Sequence, residues 1–364
     1  MFAVVPDPIP ARMKGLNRAE ICDANFQQFV REWDGPRGAA PADDAPILAG
    51  SALDARGFRE LFESQLISRH LDLMARVLRV QNKVFYTIGS SGHEGNAMVA
   101  RATRHTDPAF LHYRSGGFVA ERFRKLPGMD PVMDSALSFA ASADDPASGG
   151  RHKVWGSKPL WVLPQTSTIA SHLPKALGTA IAIEHAPRIG HALPVPTDSI
   201  VVCSFGDASS NHATAQTAFN AAAYTAYQKL PAPVLFVCED NGIGISVRTP
   251  DGWIARNFAH RPDLDYFAAD GLDLANGFEA VERAGRPSCI CGPRGSWVTR
   301  APISRSNGAR WRNCARSRPV IRCCAALRSH SNPACCRKAN CWHSMKRCAC
   351  AASPLRKTPT PGRG

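Results

Sequence analysis

Residues 199–242 contain the stretch that decides the fold: Ser199 to Phe205 (SIVVCSF), then Gly206-Asp207-Ala208-Ser209, an Ala-rich run from Ala213 to Tyr227, Pro233 to Cys238 (PVLFVC), and Asp240-Asn241-Gly242. The first apolar run is short, rich in β-branched residues and closed by Gly-Asp, which predicts a buried strand ending in a tight turn. The Ala-rich run has neither Pro nor Gly and predicts a helix. A second short apolar run closed by acidic residues, Asn and Gly predicts a second strand. Two buried strands joined by a helix imply an α/β fold built on a parallel sheet flanked by helices. In such folds ligands bind at the polar loops beyond the carboxyl ends of the strands.

Those two loops offer a consistent chemistry. A diphosphate bound with a hard divalent cation needs oxygen ligands for the ion and backbone N–H groups or Arg for the phosphates. Asp207 supplies a carboxylate and Asn241 a side-chain carbonyl, and the main-chain oxygen of Ile243 completes a metal-binding face. Ala208 and Ser209 are expected to open the following helix and turn its N–H groups to a phosphate. A lone Gly-Asp pair is more often a capped turn than a site. The pairing of two such strand ends is what favours the site.

Working outward, apolar residues recur at helical spacing from Asp54 to Val80, predicting one or two amphipathic helices. Residues 1–52 are rich in Pro, Ala and Asp and read as a loosely attached extension. The domain proper is expected over 53–284. Beyond it lies a tail of different composition, and a formal charge of +14 on 364 residues hides the contrast. Residues 285–364 hold 14 Arg and 3 Lys with no Asp or Glu, whereas residues 1–284 hold 27 basic against 30 acidic side chains. Ten of the 13 cysteines also fall between Cys289 and Cys350. The tail pairs Cys289/Cys291, Cys323/Cys324, Cys335/Cys336 and Cys348/Cys350 form no CxxC, which argues against a zinc module. The tail's aromatic residues, Trp297, Trp311 and Trp342, form no stacking or groove-reading motif, so nucleic acid is not the expected partner. With three cysteines in the body, no secretory signal order and no apolar run of membrane-spanning length, the expectation is a reduced, cytoplasmic protein.

GDASSN followed by EDNGIGIS resembles the two-part thiamine diphosphate motif, whose usual form is GDG and then NN. Ala208 replaces the second Gly, and 31 residues (209–239) separate the halves, somewhat more than is usual. FYTIGSSGHEGNAMVA (85–100) and FLHYRSGGF (110–118) further resemble the alpha component of the thiamine diphosphate-dependent 2-oxo acid dehydrogenases of branched-chain and pyruvate type. By that resemblance Tyr113 flanks the cofactor and Arg114 holds its diphosphate, a task suited to the planar guanidinium fork. STIASHLPKALGTAIA (167–182) resembles the stretch against the aminopyrimidine ring. Ser167 and the backbone at Ile169 are its carried-over contacts, while Leu173, Leu177 and Ile181 are core positions. His172 stands where the family often has Gln. It reads more simply as a satisfied structural histidine, with assistance to proton transfer near the pocket mouth as the other reading, and the same holds for His93 and His112.

The resemblance covers roughly residues 54–284. It implies thiamine diphosphate and Mg2+ as cofactors, and oxidative decarboxylation of a 2-oxo acid with acyl transfer to lipoamide. The implied partners are a beta component, which carries the activating glutamate, and the lipoyl acyltransferase. Alternative readings are a non-catalytic protein whose basic tail binds nucleic acid, and a transketolase-type or acetoin-cleaving enzyme.

Secondary-structure periodicity stops after Ala284. Synonymous codons can be chosen so that reading from the third base of each turns Cys289 to Ile303 into His-Leu-Arg-Pro-Ala-Arg-Leu-Met-Gly-His-Ala-Gly-Ser-Asp. The same offset gives Thr-Arg-Asp-Pro-Leu-Leu-Arg-Ser-Ala from Arg318 to Leu327, and Glu-Leu-Leu-Ala-Leu-Tyr-Glu-Ala-Met from Ala339 to Cys348. All three resemble the family's own continuation, including its cofactor-facing His. The sequence therefore reads as frameshifted between Ala284 and Pro287, with residues 285–364 a disordered tail in the wrong frame.

Overall fold

The computed structural model describes residues 18–34, 41–84, 89–90, 92–151, 155–165, 169–245, 247–285 and 295–300. Two compact units emerge, residues 42–307 and a second made of 1–41 with 308–364. In the second unit the described element is helix α1 (Arg18–Arg31), which composition had not revealed in the extension.

In the unit 42–307 the helices are α2 (Ala55–Val80), α3 (Ala97–Ala102), α4 (Gly116–Phe123), α5 (Pro131–Phe139), α6 (Leu173–His185), α7 (Ala213–Tyr227), α8 (Trp253–Phe258) and α9 (Leu274–Gly285). The strands are β1 (Ala109–Phe110), β2 (Trp155–Ser157), β3 (Val162–Gln165), β4 (Val201–Gly206), β5 (Val234–Glu239), β6 (Leu264–Ala269) and β7 (Gly295–Arg300). They form one seven-stranded sheet in the order β2-β3-β1-β4-β5-β7-β6. Every pairing is parallel except β2 with β3. The predicted strand-helix-strand unit is β4-α7-β5, and Ala213 to Tyr227 is helical over its whole length.

Both central strands are buried on both faces, which is why they read as unbroken apolar runs. Register pairs Val201 with Val234, Cys203 with Phe236 and Phe205 with Cys238. These six side chains join Leu173, Ala176, Leu177, Ala180 and Ile183 of α6 and Ala215, Ala218, Phe219 and Ala222 of α7 in one core. Phe219 lies at its centre, its ring 5.2 to 5.5 Å from those of Phe205, Phe236 and Phe258. The alternation of a pleated strand sends Leu235, Val237 and Glu239 to the opposite face.

The segment after Asp54 is one helix of 26 residues, Ala55–Val80, its first turn capped by the Asp54 carboxylate, which accepts from Gly57 N–H at 2.6 Å. Residues before it are tied on as well, since Ala55 N–H donates to Ala45 O and Arg56 N–H to Asp43 O. No helix of the described residues is long and apolar enough to cross a membrane.

Two expectations need correction. Ala208 and Ser209 do not open α7; Asp207–Asn211 is a separate 3₁₀ turn, and α7 begins at Ala213 behind the cap His212. The turn is held from within by Ser210 Oγ donating to Asp207 O, and from α7 by Gln216 Nε2 donating to Ser210 O. Nor is the chain after Ala284 without structure throughout, because β7 fills the slot between β5 and β6. Strand pairing uses backbone groups that every non-proline residue carries, and Gly295 to Arg300 contains no proline. The rest of the tail, residues 301–364, lies outside the described residues, as do residues 286–294.

Candidate functional site

Strands β1, β4 and β5 are parallel neighbours, so the loops that follow them emerge on one edge of the sheet. These loops carry His112 to Ser115, Asp207 to Ser210 and Asp240 to Gly244. The first is pinned to β4: His112 N–H donates to Ser204 Oγ at 2.8 Å, and Ser115 Oγ lies 3.2 Å from the same oxygen. A Cβ on Gly206 would stand 3.6 Å from His112 Nε2, so the first two loops are adjacent. The second and third meet where Gly244 faces Ala208. Topology thus brings together Tyr113, Arg114, Gly206, Asp207, Ala208, Ser209, Asn241 and Ile243.

Asp207 is buried, with 1% of its surface exposed, and its Oδ2 has no hydrogen-bond partner. A buried carboxylate oxygen left unpaired costs on the order of 1–3 kcal/mol, a cost that a bound cation would remove. Two residues beyond β5, Asn241 accepts from Ile243 N–H through Oδ1 at 2.9 Å and turns Nδ2 to His93 Nε2 at 3.1 Å. The donor set is oxygen-rich, as a hard divalent ion requires.

Tyr113 and Arg114 sit on the β1 side of this edge. The Tyr113 ring lies 4.0 Å from that of His112, its main-chain oxygen accepts from Trp155 Nε1, and the Arg114 guanidinium lies 5.2 Å over the Tyr113 ring. Arg114 also donates through Nη1 to Gly89 O, which holds the side chain extended toward the loop before α3. Ile169 is partly buried against the α6-α7 core. Ser167 lies outside the described residues.

Histidine is the surprise of the site. His172 is buried; its Nε2 is 2.8 Å from Ser204 O while Nδ1 has no partner. Burial pushes its basicity down, and because a carbonyl oxygen can only accept, Nε2 is the donor to Ser204 O. His112 is also buried, and that burial lowers its pKa to about 3. His93 joins the Glu239 carboxylate through Nδ1, and its ring stacks 5.6 Å from that of His112. Sequence reasoning had set both aside. The signal available was their placement, His112 beside the Tyr-Arg pair and His93 beside Glu94. A small cleft opens here, with His93, Asn96, Glu239 and Asn241 on its polar side and Met98, Val99, Val237 and Ala269 on its apolar side.

Comparison with known proteins identifies the family. Residues 63–286 match the model of the family described as dehydrogenase E1 component. The chain is 26% identical over 224 residues to the mouse mitochondrial 2-oxoisovalerate dehydrogenase subunit alpha, covering 59% of this chain and 46% of that one. It is 27% identical over 233 residues to the 2-oxoisovalerate dehydrogenase subunit alpha of Bacillus subtilis, covering 62% and 64%. The chain spans about half the length of the mammalian relatives it matches. Among solved structures, transketolase from Leishmania mexicana aligns with a TM-score of 0.42 at 12% identity, covering 65% of this chain and 36% of that one. With well over half its length matched to the family model, the chain belongs to the dehydrogenase E1 component family.

Proposed function

We propose that this chain is the alpha part of a thiamine diphosphate-dependent 2-oxo acid dehydrogenase. Its cation, Mg2+, is held by the Asp207 carboxylate, the Asn241 side chain and the main-chain oxygen of Ile243. Gly206, Ala208 and Ser209 approach the diphosphate closely, with small side chains that leave their backbone accessible. Arg114 binds the diphosphate, and Tyr113, Ser167 and the backbone at Ile169 flank the cofactor. Thiamine diphosphate, when bound, supplies the electron sink that lets a 2-oxo acid lose carbon dioxide. The chain's own work is to hold the diphosphate and cation, to orient the cofactor and to exclude water. His112, neutral because it is buried, adds no positive charge against the cation. The observation that carries this reading is the buried, unpartnered Oδ2 of Asp207 at the edge shared with Asn241.

The acyl unit passes on this reading to a lipoamide-bearing acyltransferase. The glutamate that activates the aminopyrimidine comes from a beta component in an alpha-beta heterotetramer in the cytoplasm. The domain of this function is 53–284, and the sequence from Ala284 to Pro287 carries a frameshift that removes the family's loop His. Alone, the chain therefore binds cofactor better than it turns over substrate.

Calorimetry with thiamine diphosphate and Mg2+ on the unsubstituted chain and on Asp207→Ala tests the site. Binding by the first and none by the second is expected, and equal binding refutes the ligand assignment. Sequencing the gene across codons 284 to 287 tests the frame, which an intact reading frame would exclude.

A further inference from the structure

A chain of hydrogen bonds runs from the cation ligand Asn241 through His93 and Glu239 to Asn96, and the direction of every bond in it can be deduced. Backbone N–H groups can only donate, so they fix the ends. Ile243 N–H donates to Asn241 at 2.9 Å, which identifies that atom as Oδ1. The other end of the amide, Nδ2, then faces His93 Nε2 at 3.1 Å. An amide nitrogen donates, so Nε2 must offer a lone pair. The ring proton of a neutral His93 therefore stands on Nδ1 and goes to Oε2 of Glu239. At the far end Phe118 N–H donates to Asn96 Oδ1 at 2.7 Å, turning Nδ2 toward Oε1 of Glu239 at 3.3 Å. Glu239 accepts on both oxygens, and it is the one member with acceptors only. His93 and Asn96 are each 6% exposed, so water has little access to replace these partners.

We infer that Glu239 and His93 are positioning residues for Asn241, holding its amide oxygen on the Ile243 side, where the proposed cation is coordinated. This rests on the cation site proposed above. Supporting groups behind metal ligands commonly act in this way, by fixing tautomer and orientation. His93, His112 and Glu239 also bring ligand atoms within 4.8 Å of one another, a spacing that could itself hold a metal. Both nitrogens of His93 are already committed in the chain, so an ion placed there would have to break it.

Two measurements on the full chain decide the matter. Long-range 1H–15N spectra of 15N-histidine-labelled protein without cofactor, with His93 assigned by the loss of its signals in His93→Gln, should show Nδ1 protonated and Nε2 bare. The opposite tautomer overturns the inference. Glu239→Gln keeps shape but turns one acceptor into a donor, against either His93 Nδ1–H or Asn96 Nδ2–H. It should retain its fold by circular dichroism, shift the His93 pattern, and weaken Mn2+ binding in the presence of thiamine diphosphate roughly tenfold to a hundredfold. Unchanged Mn2+ affinity with the unsubstituted histidine pattern overturns the inference. Asp207→Ala separates the two ideas: if it binds Mn2+ as well as the unsubstituted chain, the cation site fails and the inference falls with it. If it abolishes binding while Glu239→Gln leaves the affinity unchanged, the positioning inference fails alone.

Discussion

Ala208 and Gly244 face each other across the gap between the loops after β4 and β5. A Cβ built on Gly244 would lie 3.1 Å from the Cβ of Ala208 and 3.0 Å from Val247 O. The two halves of the motif meet there, and the contact has room for one methyl group. Gly244→Ala should therefore shift the 240–248 loop by a few tenths of an ångström and weaken cation binding several-fold by calorimetry, with a stability cost on the order of 1 kcal/mol. Ala208→Gly, which recreates the usual motif, should bind as tightly as the unsubstituted chain. Ala208→Val should behave worse than Gly244→Ala.

Asp207 exchanges stability for function. Its buried Oδ2 is unpartnered in the free chain, so Asp207→Asn or Asp207→Ala should leave the unliganded protein as stable or raise it by about 1 kcal/mol. The same change should abolish the stabilisation that Mg2+ and thiamine diphosphate confer on the unsubstituted chain. Thermal unfolding with and without ligands measures both effects. A strongly destabilised Asp207→Asn in the absence of ligand would count against the orphaned oxygen as a binding feature.

The pH dependence of stability should bear the mark of His112. Burial lowers its folded pKa from 6.5 to about 3, with Glu239 opposing the shift and His93, Arg114 and His172 adding to it. The unfolded chain binds this proton below pH 6.5 and the folded chain does not. The contribution of His112 is therefore complete above pH 6.5 and is lost as pH falls toward 3, at up to about 1.4 kcal/mol per pH unit. His112→Asn should flatten that part of the curve in urea titrations at pH 4 to 7. A curve of unchanged slope would mean that His112 is protonated in the folded protein.

Cys203 and Cys238 lie in the core, and burial raises both thiols well above their ordinary range. Only the thiolate reacts, so both should remain unmodified by iodoacetamide in the native protein and react in urea. Peptide mapping by mass spectrometry would detect the difference.

The strand pair that organises the sheet was legible because a strand buried on both faces must be apolar throughout, and Val201 to Phe205 and Val234 to Cys238 leave no other reading. The site was legible where its residues lie at strand ends, as with Asp207 and Asn241. Two kinds of feature escaped. The 3₁₀ turn before α7 depends on Ser210 and Gln216 side chains that bond to nearby carbonyls, a local competition that periodicity does not register. The roles of His93 and Glu239 depend on a contact across 146 positions of sequence, which no local pattern encodes. Nor did composition forecast β7, whose place follows from an open ladder on either side of it rather than from its own side chains.

That last strand has a consequence for how the protein is made. In synthesis order β7 is the final strand of the sheet, but in space it lies between β5 and β6, which have no direct pairing with each other. Until residues 295–300 have been synthesised and threaded into place, the nascent chain presents two unprotected ladder edges, the kind of surface that recruits other chains. Chaperone demand and the yield of soluble product during expression should therefore be set by the few residues just past the point where the reading frame is in question.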